Sequence, residues 1–466
     1  MSAVSKRIIA LFFSLLALAA LSAPLALLPL RAASAQQGQR LNLIRDAEIE
    51  NTIRVFVTPI WKAAGLDPSA VEIMIVQDGS LNAFVAGGQR IFINTGLIMR
   101  TERPNQLIGV MAHETGHIAG GHLARQQEEL RNLTTLQILE SILGAGAVAG
   151  GAVSRGGVGS PGPTGPGSTP VPGSLLSFLK YTQTQEHSAD QAAITFLERT
   201  RQSPKGTVEF LKVLQQQERM SINAQSPYLR THPLTPDRIA MFEQAMARSP
   251  YANTPDTPQF LDLHGRMVAK LYGFIAPEVA LQRFSEADRS VPARYARAIA
   301  LYRKAALGSA LLTIDGLLKE SPNDPYFHEL RGQMLYENGR AAESLASYRR
   351  AVQLLPAVAI VKIDYARALL ETDKPDNDRE AVRNLELASQ AEAGSFELWR
   401  LMATGYAKLN NPGMTSLARA EMAILRGKRA EAQSHAATAE RTLPAGSPAW
   451  HRAQDIKAYI NSRPRK

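Results

Sequence analysis

The spacing of apolar residues changes several times along the chain, and each change predicts a different element. Between residues 41 and 64, Ile44, Ile49, Ile53, Phe56 and Ile60 recur at three- to five-residue steps, the pattern of one helix face. Val71 to Val76 is a short run of strand formers, and the Gly87-Gly88 turn joins two more candidate strands, 82–86 and 91–94. A helix is then expected from about Pro104, where the missing amide donor of proline costs nothing, through Leu107, Ile108, Val110, Met111 and Ile118 into the 125–131 region. From about Pro292 the chain reads as alanine-rich helical pairs. Pro322 and Pro356, 34 residues apart, each end a helix, so that Ala310, Ile314 and Leu317 align with Ser344, Tyr348 and Ala351. Gly332 and Gly339 take the close-packing and turn positions of the second unit. Trp399, Tyr406, Ala432, Ala436, Ala439 and Pro444 mark further, less regular units. The fold class is therefore α+β: a mainly helical domain with a small sheet over residues 36–250, then an all-α array over 251–466.

Two stretches break this pattern. In the first 35 residues, Lys6 and Arg7 precede an apolar run, and Ala33-Ser34-Ala35 offers a cleavage site before Gln36, as in an export signal. The run is also long enough to stay as an uncleaved anchor, although Pro24 and Pro29 favour removal. Residues 142–153 are small and apolar but too few to span a bilayer, which leaves a packed helix or a membrane-touching surface. Residues 154–173 are rich in glycine and proline. Gly157, Gly159 and Gly162 match a dinucleotide-binding fingerprint in letters only, because no strand precedes them and Pro161 and Pro163 would spoil the following helix. This segment is either a lid over a nearby site or an inert insertion.

Charge and cysteine content narrow the partners. The formal charge of +10 falls to about +7 once Lys6, Arg7 and Arg31 leave with the signal. Basic residues are spread among acids, without the stripe of a nucleic-acid binder, so no nucleic-acid partner is expected; peripheral contact with anionic lipid is easier to reconcile with this balance. The absence of cysteine rules out disulfides and thiolate metal sites.

The candidate chemistry lies in His113-Glu114-Thr115-Gly116-His117. Four residues apart on a helix, the two imidazoles point about 40° from each other and can hold one Zn²⁺ per chain. Glu114, about 100° round, can reach a water beside the metal rather than the metal. A catalytic zinc takes a third protein ligand. Gly120 sits where one zinc-protease motif wants a glycine, but Leu123 occupies that motif's third-ligand position, and His122 falls about 140° off the face, as a helix-surface residue or one behind a ligand. Glu186 is the better candidate, with Asp190 one turn later to orient a ligating histidine, most plausibly His113. His187 is expected at the surface.

The pairing of His-Glu-Thr-Gly-His with Glu186-His187-Ser188-Ala189-Asp190 resembles the CAAX prenyl protease and HtpX-like zinc metallopeptidases, the gluzincins. The likeness extends to the hairpin 82–97 and to Thr231-His232-Pro233-Leu234 with Arg238. The helical pairs resemble tetratricopeptide repeats. Together with the export signal, these features are most similar to the periplasmic β-barrel assembly-enhancing proteases. The resemblance implies a periplasmic zinc metalloendopeptidase that degrades misfolded or misassembled envelope proteins, with repeats that recruit substrate or the outer-membrane β-barrel assembly machinery. The alternative it leaves open is a chaperone or adaptor with a largely latent protease site. It also implies active-site positions for Arg238, as oxyanion donor or carboxylate partner, and for His232, as transition-state contact, self-inhibitory plug or local cap. The strand 82–86 would be an edge along which an extended substrate adds.

Overall fold

The computed structural model describes residues 42–122, 173–220 and 232–462, with no side-chain account for 173–182 and 218–220. The export signal, the 142–153 and 154–172 segments and Thr231 lie outside the described residues. Helix α1 (Ala47–Ala63) begins later than the periodicity suggested, because the Asp46 side chain caps it by accepting from the Ile49 amide at 2.9 Å. The two residues before the cap, Leu43–Ile44, form strand β1 instead, antiparallel to β2 (Glu72–Val76). Strands β3 (Ala83–Ala86) and β4 (Arg90–Asn94) complete a four-stranded sheet in the order β1-β2-β4-β3, with β2 and β4 parallel and β3 and β4 antiparallel. Strand β3 is thus an edge. Gly87 and Gly88 turn it into β4 at φ +62° and +99°, a backbone that side chains resist.

A short α2 (Thr95–Arg100) leads into α3 (Pro104–Ala119), which carries the paired histidines and is buried on every side through Gly116. It stops well before residue 125, at Gly120-Gly121, where Gly121 takes φ +62°. Small residues set how closely its neighbours approach. A Cβ on Gly116 would lie 2.7 Å from the Ala189 carbonyl oxygen of α4 (Gly173–Arg199), and one on Gly109 would lie 2.1 Å from Thr207 of α5 (Lys205–Met220). Helix α6 (Pro236–Arg248) closes the far side through Phe242.

The apolar core runs on past residue 250. Met267, Val268 and Leu271 of α7 (Pro258–Ile275) join Phe56, Trp61 and Leu107 in one cluster. Beside it lies a buried ionic network in which Arg266 holds Glu48 at 2.7 Å and also pairs with Asp324, while Lys270 reaches Asp46 at 2.8 Å and Tyr295 donates to Glu48 at 2.7 Å. From α8 (Pro277–Arg283) onward the described chain is helix on helix: α9 (Val291–Arg303), α10 (Leu307–Glu320), α11 (Pro325–Glu337), α12 (Ala341–Leu354), α13 (Ala359–Leu370), α14 (Pro375–Glu392), α15 (Phe396–Lys408), α16 (Pro412–Leu425), α17 (Arg429–Thr442) and α18 (Pro448–Asn461). The 34-residue offset of α10 and α12 returns in their buried faces, and Gly332 lets α11 lie against the Tyr348 ring, which a Cβ would meet at 2.9 Å. No helix among the described residues is long and apolar enough to cross a membrane.

Candidate metal centre

Helices α3 and α4 and the turn before α6 bring four ligand atoms together. His113 and His117 face the same way from α3, with their Nε2 atoms 3.1 Å apart. Glu186 arrives from α4, its carboxylate 3.3 Å from His113 Nε2 and 3.2 Å from His117 Nε2. His232 completes the group, its Nδ1 lying 3.3 Å from His113 Nε2 and 3.1 Å from Glu186. All four ligand atoms lie within 4.8 Å of one another, close enough for one divalent cation to be shared among them. Three imidazoles and one carboxylate, all buried, fit a divalent cation by donor type as well as by distance.

Behind this cage the polar partners are arranged in order. His113 Nδ1 lies 2.7 Å from Asp190 Oδ1, so the imidazole donates there and its Nε2 lone pair faces the centre. Arg238 grips Asp190 with two hydrogen bonds, at 2.6 and 2.8 Å, and sends Nη1 to Glu186 at 3.0 Å and to the Pro233 carbonyl at 3.1 Å. Its guanidinium is thereby committed to the two carboxylates. His122 is buried, with Nδ1 3.0 Å from His117 Nδ1. It therefore stands behind a ligand and not on a helix surface. The Gly120-Gly121 turn allows this, because a Cβ on Gly120 would meet the His122 ring at 2.3 Å. His187 is exposed.

Glu114 is fully buried, and neither of its oxygens has a hydrogen-bond partner among the described residues. Its Oε1 faces His232 Nε2 at 3.5 Å. Burial raises the Glu114 pKa, against the opposing pull of His232 and His113, which makes it a better proton acceptor than an exposed carboxylate. The two α3 histidines diverge. Burial lowers His117 to about 3, whereas at His113 the cost of burial is overcome by Asp190 and Glu186, which lift it to about 10. Burial would raise Glu186 and Asp190, but neighbouring His113 outweighs it and holds both carboxyls low, so they stay ionised. The cage is thus negative enough that, without a metal, a proton is drawn onto His113. A divalent cation would take that proton's place.

The profile of Peptidase family M48 matches residues 44–246, the stretch that holds every one of these groups. Residues 44–246 thus resemble the M48 peptidases, and the chain is a metallopeptidase. It is also 24% identical over 413 residues to the beta-barrel assembly-enhancing protease of Escherichia coli, covering 87% of this chain and 81% of that one. With the beta-barrel assembly-enhancing protease of Yersinia pestis it shares 25% identity over 369 residues, 77% of this chain and 72% of the relative. Both similarities extend beyond residues 44–246 into the helices that follow.

Proposed function

We propose that this metallopeptidase is a zinc-dependent endopeptidase of the cell envelope, acting in the periplasm on unfolded or misassembled periplasmic and outer-membrane proteins. The observation that carries the reading is the cage of His113, His117 and Glu186 with the buried Glu114 carboxylate beside it, without a hydrogen bond among the described residues. When bound there, Zn²⁺ supplies Lewis-acid polarisation of the scissile carbonyl and lowers the pKa of an attacking water. Glu114 accepts that water's proton and returns it to the leaving amine. Asp190 keeps His113 in the tautomer that presents Nε2. Arg238 is a positioning residue that locks Asp190 and Glu186, since its donors are spent on them and not on a developing oxyanion. His232 Nδ1 stands at the fourth corner of the cage, which favours the reading in which it blocks the site at rest and must withdraw before substrate enters. An extended substrate would add to the edge strand β3 through backbone hydrogen bonds, which selects unfolded segments over folded ones.

The helices from residue 251 onward form a tetratricopeptide-type array that recruits substrate or the outer-membrane β-barrel assembly machinery. The names of the relatives, and similarity that continues past the peptidase domain, support that assignment. A second reading, a chaperone or adaptor whose protease site is mostly silent, is favoured by His232 at the fourth corner. Comparing wild type with Glu114→Gln in the full chain separates the two. The protease reading requires one zinc per chain in both proteins and loss of unfolded-protein cleavage in the variant by about 10²-fold or more. An adaptor would act equally well in both. Cutting the chain at 250 is a poor test, because it would strand Glu48 without Arg266 and Lys270.

A further inference from the structure

A cavity of about 380 Å³ lies between the segment before α1 and helices α7, α11 and α13, well apart in sequence from the metal centre. That volume is in the range of sites that take small ligands or single side chains. Its apolar walls include Ile44, Phe274, Leu330 and Ile360, and Tyr336 adds an aromatic face. The charged groups lining it are mostly spoken for. Arg45 is held by Glu50 and Glu392, Lys270 by Asp46 and Glu48, and Asp364 by Arg367 at 2.7 Å. Arg303 is exposed to solvent. Glu329 is the exception: it is 9% exposed, lines the cavity, and its Oε2 is buried with no hydrogen-bond partner among the described residues.

A buried carboxylate of this kind is unfavourable unless something compensates it. Burial first, then Asp46, Asp364 and Glu48, push the Glu329 carboxyl up against the pull of Lys270. The ligating atoms that lie within 4.8 Å of one another among the described residues are those around His113, so a bare metal ion has no cage here. What fits is a cation carried on an apolar stem, with the stem against the aliphatic wall, the charge at Glu329 and the Tyr336 face alongside.

We propose that this cavity is a recognition pocket for a lysine or arginine side chain of an extended polypeptide. The proposal rests on the reading that the helical half recruits unfolded protein, and it gives that recruitment a charge preference.

The test uses full-length, zinc-loaded Glu114→Gln protein, so that peptides survive, and fluorescence anisotropy with an unstructured ten-residue peptide bearing one central lysine. Matched peptides carry arginine, acetyl-lysine or norleucine at that position. The lysine and arginine peptides should bind about tenfold or more tightly than the other two. Adding Glu329→Gln, a near-isosteric change whose folding is checked by thermal melting, should erase the difference. Gln333→Trp, which fills the cavity but leaves the Glu329 carboxyl in the chain, should weaken the cationic peptides alone. Equal affinity for norleucine, a preference that survives Glu329→Gln, or no peptide binding at all would overturn the proposal. So would Glu329-dependent binding of phosphatidylethanolamine vesicles over phosphatidylcholine ones, because the ammonium would then come from a lipid. Cleavage of an unfolded protein by zinc-loaded wild type is measured alongside. If cleavage persists while the charge preference is missing, only the pocket fails; if cleavage is absent, the peptidase reading fails.

Discussion

Replacing Gly116 with alanine tests whether the close approach of α3 and α4 is what shapes the metal cage. In an isolated helix the substitution would stabilise by about 0.5–1 kcal/mol, because alanine loses less backbone freedom on folding. Here the added Cβ would lie 2.7 Å from the Ala189 carbonyl oxygen and 2.9 Å from its Cα. Both contacts are about 0.6 Å or more short of ordinary van der Waals separation, and both partners are backbone, which cannot rotate away. Helices α3 and α4 must therefore part at Ala189, between Glu186 and Asp190. Overpacking of this kind costs about 1–3 kcal/mol, so the clash outweighs the helix gain and a net loss of about 1–2 kcal/mol is expected in urea unfolding of the apo protein. The cage should suffer more than the fold. Its edges of 3.1 to 3.3 Å leave little slack, and withdrawing one carboxylate by half an ångström or so should weaken zinc by about tenfold or more in competition with a chelator. Gly316→Ala is the control. It sits mid-helix in α10 with nothing within 4 Å of the new Cβ, and should stabilise by about 0.5–1 kcal/mol without touching metal affinity. If Gly116→Ala raised stability as Gly316→Ala does, or kept wild-type zinc affinity, contact between these helices would not be what sets the cage.

Three further outcomes follow from other parts of the structure. Asp190→Asn keeps the shape but removes the charge that fixes His113 and holds Arg238, and zinc affinity should drop about 10- to 100-fold by chelator competition while secondary structure, followed by circular dichroism, persists. Arg266→Ala leaves the buried Glu48 carboxylate with only one of its two cationic partners and should destabilise the chain by about 3–5 kcal/mol in urea unfolding, whereas a loss below about 1 kcal/mol would mean that water already compensates this network. His264 is buried, donates to Thr101 Oγ1 at 2.8 Å, and is lowered by burial to about 4. Its folded value lies below its unfolded value of about 6.5, so the stability it contributes is complete above pH 6.5 and is lost as pH falls towards 4. The loss should be about 2 kcal/mol by pH 5 and absent from His264→Gln when the two urea midpoints are compared at pH 7.5 and 5.

What could be read from the sequence divides along a physical line. Helical period alone puts His113 and His117 on one face and Glu186 in register with Asp190, because those relations span four residues and depend only on helix geometry. The α10–α12 offset was legible for a similar reason, since stacked hairpins must repeat their buried positions. Strand β1 was not. Two residues carry no period, and Ile44 fits a helix face as well as it fits the strand that pairs with Ile75. Of the two readings left open for His122, on a helix surface or behind a ligand, the structure takes the second, because the helix along which its angle was projected has already ended. The signal was present in Gly120-Gly121, two glycines that permit the reversal and would have no purpose inside a continuing helix. The network of Glu48 with Arg266 was out of reach, since its partners are 218 positions apart and nothing local distinguishes a glutamate that will be buried from one that will not. Charge that pairs at short range is written in the sequence as spacing. Charge that pairs across the fold is revealed only when the core closes over it, which is also why Glu329, buried and uncompensated, became visible as a candidate pocket only in three dimensions.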